Sequence, residues 1–257
     1  MSESSGVKIQ SLERAFEILR LFKKHDEIGI SEIAQSVNLS KSTAFGLVNT
    51  LVKIGFWEKD ADSKKYRLGM ELFELGTLVE KRMDIKKTAQ PYCVMLSQKY
   101  CLTVHLAANK NGEVLYIDKY DQPDFFIMYS QVGQTAPMTC TGLGKAMLAF
   151  EDENYLQKYI FSKPFPVKNE NSIADEETLR KILADIKNKG YACDNGEMSN
   201  VLKCYAAPIF NRHKKPIAAI SVSGIVNKME NVNAQEIIED VKNVAKEISL
   251  KMGYREI

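Results

Sequence analysis

Apolar residues recur at i, i+3, i+4 and i+7 in two neighbouring stretches, Ile30, Ile33, Ala34, Val37 and then Ala44, Leu47, Val48, Leu51. Each spacing lays one apolar stripe along a helix. Asn38-Leu39-Ser40 interrupts the pattern, and Ser40 is a favourable N-cap for the second helix, residues 41–51. The face opposite the second stripe carries Ser42, Gly46, Asn49 and Lys53, flanked by Thr43 and Phe45. No Asp or Glu occurs from Ile33 through Trp57. A helix with such a face can enter the DNA major groove without repelling the phosphates.

The same pattern organises the rest of the chain. Leu12, Ala15, Phe16, Leu19 and Phe22 mark an amphipathic helix expected to pack on the other two. Residues 56–59, the turn Asp60-Ala61-Asp62-Ser63 and residues 64–68 predict a hairpin, with Tyr66 and Leu68 inside and Lys65 and Arg67 wet. Three helices and this basic wing make a winged helix-turn-helix over residues 8–69. Residues 70–84 form an apolar-rich connecting helix, read in part as a dimer surface, and residues 85–100 a helix that Pro91 is expected to kink. From Leu102 the period shortens. Strands are predicted at 103–108, 114–120, 125–129, 191–194, 204–210 and 217–224, with Asn111-Gly112 as a tight turn. Helices follow Thr141-Gly142-Leu143-Gly144, around 154–160, at 176–189 between Asp175 and Gly190, and from Asn233 to about Met252. Residues 85–257 therefore read as a second, α+β domain.

Composition changes this picture little. A chain of 257 residues with net charge +2 is nearly neutral, so the acid-free window is a local signal rather than a bulk one. No apolar run is long enough to span a bilayer, and residues 1–6 do not read as a secretory leader. Five cysteines, none in a C-x-x-C pair, fit reduced thiols in a cytoplasm. Enzyme readings fare poorly. Gly144-Lys145 hints at a phosphate loop, but Thr139 and Ala146 stand where that motif needs Gly and Ser or Thr. Cys140, Asp194, Cys204 and His105 lack the short paired spacing of metal sites, and three histidines support no nucleophile–base set. No cofactor, metal or catalytic residue is expected.

Several stretches in order carry a resemblance: Ser11-Leu12-Glu13-Arg14-Ala15, Leu39-Ser40-Lys41-Ser42-Thr43, Lys65-Tyr66-Arg67-Leu68-Gly69, Thr141-Gly142-Leu143-Gly144-Lys145-Ala146, Lys189-Gly190-Tyr191-Ala192-x-Asp194, Ala206-Ala207-Pro208-Ile209-Phe210 and Ala219-Ile220-Ser221-Val222-Ser223-Gly224. Together they resemble the IclR family of bacterial transcription regulators across nearly the whole chain. The resemblance implies an α+β protein, a winged helix-turn-helix joined by a linker helix to a GAF-like effector-binding domain. It also implies repression, homodimers formed through the DNA-binding domains, and pairing of dimers into tetramers. Two departures stand out. Phe45-Gly46 replaces a common His-Arg, which points to an unusual operator with apolar contact to thymine methyls. Gly196 and Val201 replace an acid and a glycine beside the effector pocket, so the effector is left open.

The partners follow. Ser40, Lys41, Ser42, Thr43, Phe45, Gly46, Asn49 and Lys53, with Lys64, Lys65 and Arg67 on the wing, are expected to meet a near-palindromic double-stranded operator; the lysines and Arg67 touch phosphates. Ser221 and Ser223, two apart on a strand, point the same way. The Gly142 and Leu143 amides start a helix and can attract a carboxylate. Asp194 and Cys204 match pocket positions of the family, and Phe126 and Met128 could wall the pocket. The small-molecule effector is read as an organic or sugar acid. Plainer readings stand beside these: the serines as solvent-facing strand residues, Cys204 as a small buried hydrophobe, Phe126 and Met128 as core, His105 as a satisfied structural histidine.

Overall fold

The computed structural model describes residues 9–81, 84–121 and 130–255. The chain divides into two compact units, Met1–Met83 and Asp84–Ile257.

In the first unit, α1 (Gln10–Arg20), α2 (Ile30–Ser36) and α3 (Lys41–Lys53) precede β1 (Trp57–Lys59), β2 (Tyr66–Leu68) and α4 (Met70–Lys81). Glu32 accepts the Gly29 N–H at 2.9 Å to start α2, and Ser40 Oγ accepts the Thr43 N–H at 3.2 Å to start α3. Between them Asn38 takes φ 51°, the left-handed turn that lets two helices meet at an angle. The core joins Ile18, Ile28, Ile33, Ala34, Ala44, Val48, Leu51, Trp57 and Tyr66; Ile30, Val37 and Leu47 are partly buried against it. Trp57 pairs with Leu68 and Lys59 with Tyr66 in the antiparallel wing. An isolated bridge from Ile28 to Tyr66 anchors the wing to the helices.

The expected α1 stripe needs correction. Ile18 is the fully buried contact and Leu19 and Phe22 pack beside it, whereas Leu12 and Phe16 are exposed. The sequence spacing marked a second apolar face that the described residues of this unit leave exposed. Leu68 likewise stays 48% exposed, so only Tyr66 faces inward. In α4, Met70, Phe73, Leu75 and Leu78 are exposed.

The second unit is built on a six-stranded antiparallel sheet of order β5-β4-β3-β8-β7-β6. Its strands are β3 (Thr103–Lys110), β4 (Glu113–Tyr120), β5 (Thr135–Pro137), β6 (Ala192–Asn195), β7 (Leu202–Phe210) and β8 (Pro216–Ile225). Asn111 and Gly112 both have positive φ, as a two-residue turn between right-twisted strands requires. One sheet face, including Ala107, Tyr116, Ala206 and Ala219, shares a core with α6 (Gly142–Leu148), α7 (Glu153–Leu156) and α8 (Glu176–Lys189). The alternate residues, among them Leu106, Ile209, Ile220 and Val222, are buried on the other face. There α5 (Asp84–Tyr100) and α10 (Ala234–Lys251) pack, α9 (Val226–Glu230) being the short turn before α10. Lys99 spans Glu236 at 2.8 Å and Asp240 at 2.6 Å to tie α5 to α10. The α5 helix runs on through Pro91. β5 and α9 were not read from the sequence, being three and five residues long. The expected strand at 125–129 lies outside the described residues.

Candidate DNA interface and candidate effector site

On α3 the buried stripe is Ala44, Val48 and Leu51, with Leu47 half-buried. Lys41, Ser42, Thr43, Phe45, Gly46, Asn49 and Lys53 are all exposed, as is Thr50, which the sequence reading missed. Ser40 and Thr43 are partly engaged in the cap: their hydroxyls lie 2.8 Å apart, and Ser42 Oγ is 3.0 Å from Ser40 Oγ. Thr50 Oγ1 donates to the Gly46 carbonyl at 2.9 Å.

The wing is less basic than its lysines suggest. Arg67 donates to Glu58 across the ladder at 3.0 Å, and Lys64 Nζ folds back to the Ala61 carbonyl at 2.5 Å. Asp60 organises the turn by accepting from the Ser63 and Asp62 N–H groups, and the Ser63 bonds hold its carboxyl below the usual carboxylate range. An exposed ion pair such as Arg67–Glu58 is weak, so Arg67 can exchange its partner for a phosphate at little cost.

In the second unit the predicted pocket residues converge through strand register. Asp194 pairs with Cys204, Cys204 with Ser223, and Ser223 with Thr103; one row on, Ala206 pairs with Ser221 and Ser221 with His105. Paired residues share a sheet face. Asp194, Cys204, Ser221, Ser223 and His105 therefore form one polar island on that side of the sheet, and all five are buried. The start of α6 closes over it. Thr141 caps that helix by accepting the Gly144 N–H at 3.1 Å, and Gly142 sits so near that an added Cβ would meet Cys204 Sγ at 2.6 Å. Gly142, Leu143, Asp194, Cys204, Ser221 and Ser223 together line a cavity of about 50 Å³. Phe126 and Met128 lie outside the described residues.

His105, Tyr116, Ser130, Thr141, Met198, Leu202 and Lys203 also line it and were not assigned to it from the sequence. No local signal marks them: His105 joins the serines only because of the β3–β8 register. Its two ring nitrogens lie 2.7 Å from Ser130 Oγ and 3.4 Å from Ser223 Oγ, and Ser223 Oγ lies 3.4 Å from Ser221 Oγ. The histidine is thus satisfied, as the plainer reading held, and also on the cavity wall. Burial, with Lys119 nearby, pushes its pKa down to about 3, so it is neutral at physiological pH and offers one donor and one acceptor.

Burial pushes the Asp194 carboxyl up to about 6, against the Glu197 N–H that it accepts at 2.7 Å. Glu197 pairs with the buried Lys145, which neutralises the pair beside the cavity; desolvation still raises the Glu197 carboxyl. Burial also raises the Cys204 thiol far above its ordinary value, which leaves it a neutral thiol rather than a nucleophile. Among the described residues no group of three His, Cys, Asp or Glu side chains comes together to hold a metal, and no helix is long and apolar enough to cross a membrane.

An acid-free helix displayed by a winged three-helix unit is the frame of a helix-turn-helix DNA-binding protein. Comparison with known proteins agrees. Residues 11–61 match the IclR helix-turn-helix domain, and residues 77–250 match the bacterial transcriptional regulator IclR C-terminal domain. The HTH-type transcriptional regulator KdgR of Escherichia coli (strain K12) is 31% identical over 248 residues, which make up 96% of this chain and 94% of that protein. The crystal structure of Thermotoga maritima IclR aligns over 96% of this chain and all of its own, at 33% identity and a TM-score of 0.73. An IclR homolog from Microbacterium hydrocarbonoxydans, solved in complex with 4-hydroxybenzoate, aligns over 94% of this chain and 98% of its own, at 25% identity and a TM-score of 0.82. The chain belongs to the IclR family and is a DNA-binding transcription regulator.

Proposed function

We propose that the protein is a repressor whose operator affinity is set by a small carboxylate bound beneath the start of α6. The α3 helix lies in the major groove. Asn49 reads base edges, and Lys41 and Lys53, with Lys64, Lys65 and Arg67 of the wing, meet phosphates. The exposed apolar residues of α1 and α4 supply the surface for a homodimer, which would present two α3 helices to a near-palindromic site.

The observation that carries the effector reading is the polar island. Buried hydroxyls, an imidazole and a carboxyl are kept in a core only when hydrogen-bonded, as these are by Ser130, by one another and by the Glu197 N–H. Here they converge on a cavity with Lys203 in its wall. The 4-hydroxybenzoate bound by the Microbacterium homolog is itself a carboxylate and a natural first probe. The effector acts through its different affinities for the DNA-competent and DNA-incompetent forms.

The test is a thermal-shift screen of small hydroxy, keto, sugar and aromatic acids, followed by operator binding with and without each hit. Ser221→Ala with Ser223→Ala is expected to abolish the acid's effect on both readouts while leaving operator affinity unchanged. An unaltered response in the double variant would overturn the assignment.

A further inference from the structure

Gly46 stands mid-helix on the exposed face of α3. A glycine there destabilises the helix relative to alanine. The fold explains most of the other described glycines. A Cβ would meet backbone at 2.2 Å on Gly69 and 2.3 Å on Gly144, and side chains at 2.6 Å on Gly142 and 2.7 Å on Gly224. At Gly46 it would meet nothing within 4 Å, and the residue has no left-handed φ to excuse it. The free fold therefore gains nothing from this glycine. Gly76 in α4 is equally open, so openness alone does not single out Gly46; the charge of the helix does, since α4 carries Glu71 and Glu74. α3 has no acid and has Lys41 and Lys53 at its two ends.

Beside Gly46, the Phe45 side chain is 49% exposed. It cannot hydrogen-bond to a base. The apolar feature that base edges offer in the major groove is the thymine methyl. We propose that Gly46 is the point of closest approach of α3 to the groove floor, and that this approach seats the Phe45 ring against a thymine methyl, which specifies that position of each operator half-site. The proposal rests on α3 being the groove helix.

The experiment uses the full chain and duplexes selected by it from random sequence. Each thymine of the selected half-site is replaced singly by deoxyuridine, which removes the methyl alone. One such replacement is expected to weaken wild-type binding about fourfold, the value of one buried methyl, and to have no effect on Phe45→Ala. Gly46→Ala is expected to move two quantities in opposite directions. The unfolding midpoint reported by Trp57, the single tryptophan and a member of the N-terminal core, should rise by a few degrees. Operator affinity should fall about tenfold.

Unchanged affinity in Gly46→Ala would overturn the close approach, and a lowered midpoint would show that the glycine serves the fold instead. Equal loss on methyl removal in wild type and Phe45→Ala, or no sensitive thymine at all, would overturn the methyl contact. Failure of the underlying reading looks different: Lys41→Ala and Asn49→Ala would then also leave binding and sequence preference untouched.

Discussion

The two units solve opposite problems with polar residues. The N-terminal unit keeps its functional groups outside: one stripe of α3 fills the core and the rest, from Lys41 to Lys53, faces solvent. The C-terminal unit brings its polar groups inside, where Asp194, Ser221, Ser223 and His105 are each almost fully buried. An exposed face tolerates substitution and acts through charge and shape. A buried polar island acts through desolvation, which holds His105 neutral and keeps the Asp194 carboxyl close to protonation. The first is shaped by solvent and charge; the second is held by the packing around it.

That contrast can be broken most forcefully from the N-terminal core. Trp57 is 1% exposed and packs edge-on to Phe22 at 4.6 Å. Trp57→Ala should cost about 3–5 kcal/mol and remove operator binding. The acid-induced shift of the C-terminal unit, followed by calorimetry, should survive; its disappearance would mean the two units do not stand apart energetically.

Acid should act next, and through the buried site. His105 titrates near 3 in the fold against an ordinary 6.5, so the unfolded chain takes up the proton first. Stability should fall by a few kcal/mol as pH drops from about 6.5 towards 3, and show no His105 contribution above that window. Asp194 works the other way. Its raised carboxyl binds a proton first in the fold, adding stability as pH falls from about 6 to its ordinary 3.8. Urea titrations at stepped pH should show a shallower acid loss in His105→Asn than in wild type; identical slopes would remove the histidine from the account.

Gly142→Ala sets a Cβ against Cys204 Sγ and should cost about 1–3 kcal/mol. The larger sign is functional: the acid-induced thermal shift should vanish while operator affinity holds. Retention of that shift would show that α6 need not sit so close to the sheet. The smallest effect belongs to the exposed face. Lys41→Ala and Lys53→Ala should each lower the slope of log affinity against log salt by about 1, for every duplex sequence alike. A change confined to one sequence would instead make the lysine a base reader.

Legibility followed the same divide. The α2 and α3 stripes, the Ser40 cap, the Asn111-Gly112 turn, and the Asp175 and Gly190 bounds of α8 were all readable, because each is a local rule acting over a few residues. The α1 spacing misled, since Leu12 and Phe16 carry a helical period yet stay exposed among the described residues of their own unit. The wing charge misled in part, because Glu58 lies nine residues from Arg67 and meets it only in the hairpin. In the cavity, the Ser221 and Ser223 alternation was visible, but Ser130, Lys203 and His105 were not.

The amino-acid order by itself determined most of the longer helices and strands and the buried stripes of α2 and α3, since periodicity and capping need only near neighbours. It also determined that α3 carries no acid, because charge is a property of the residues themselves. Only the tertiary structure decided that His105 stands beside Ser221, that Gly142 touches Cys204, and that a carboxyl at Asp194 loses its water. Those facts depend on ladder register and on what covers the sheet, and residues scores of positions apart acquire a common environment only when the chain closes around them.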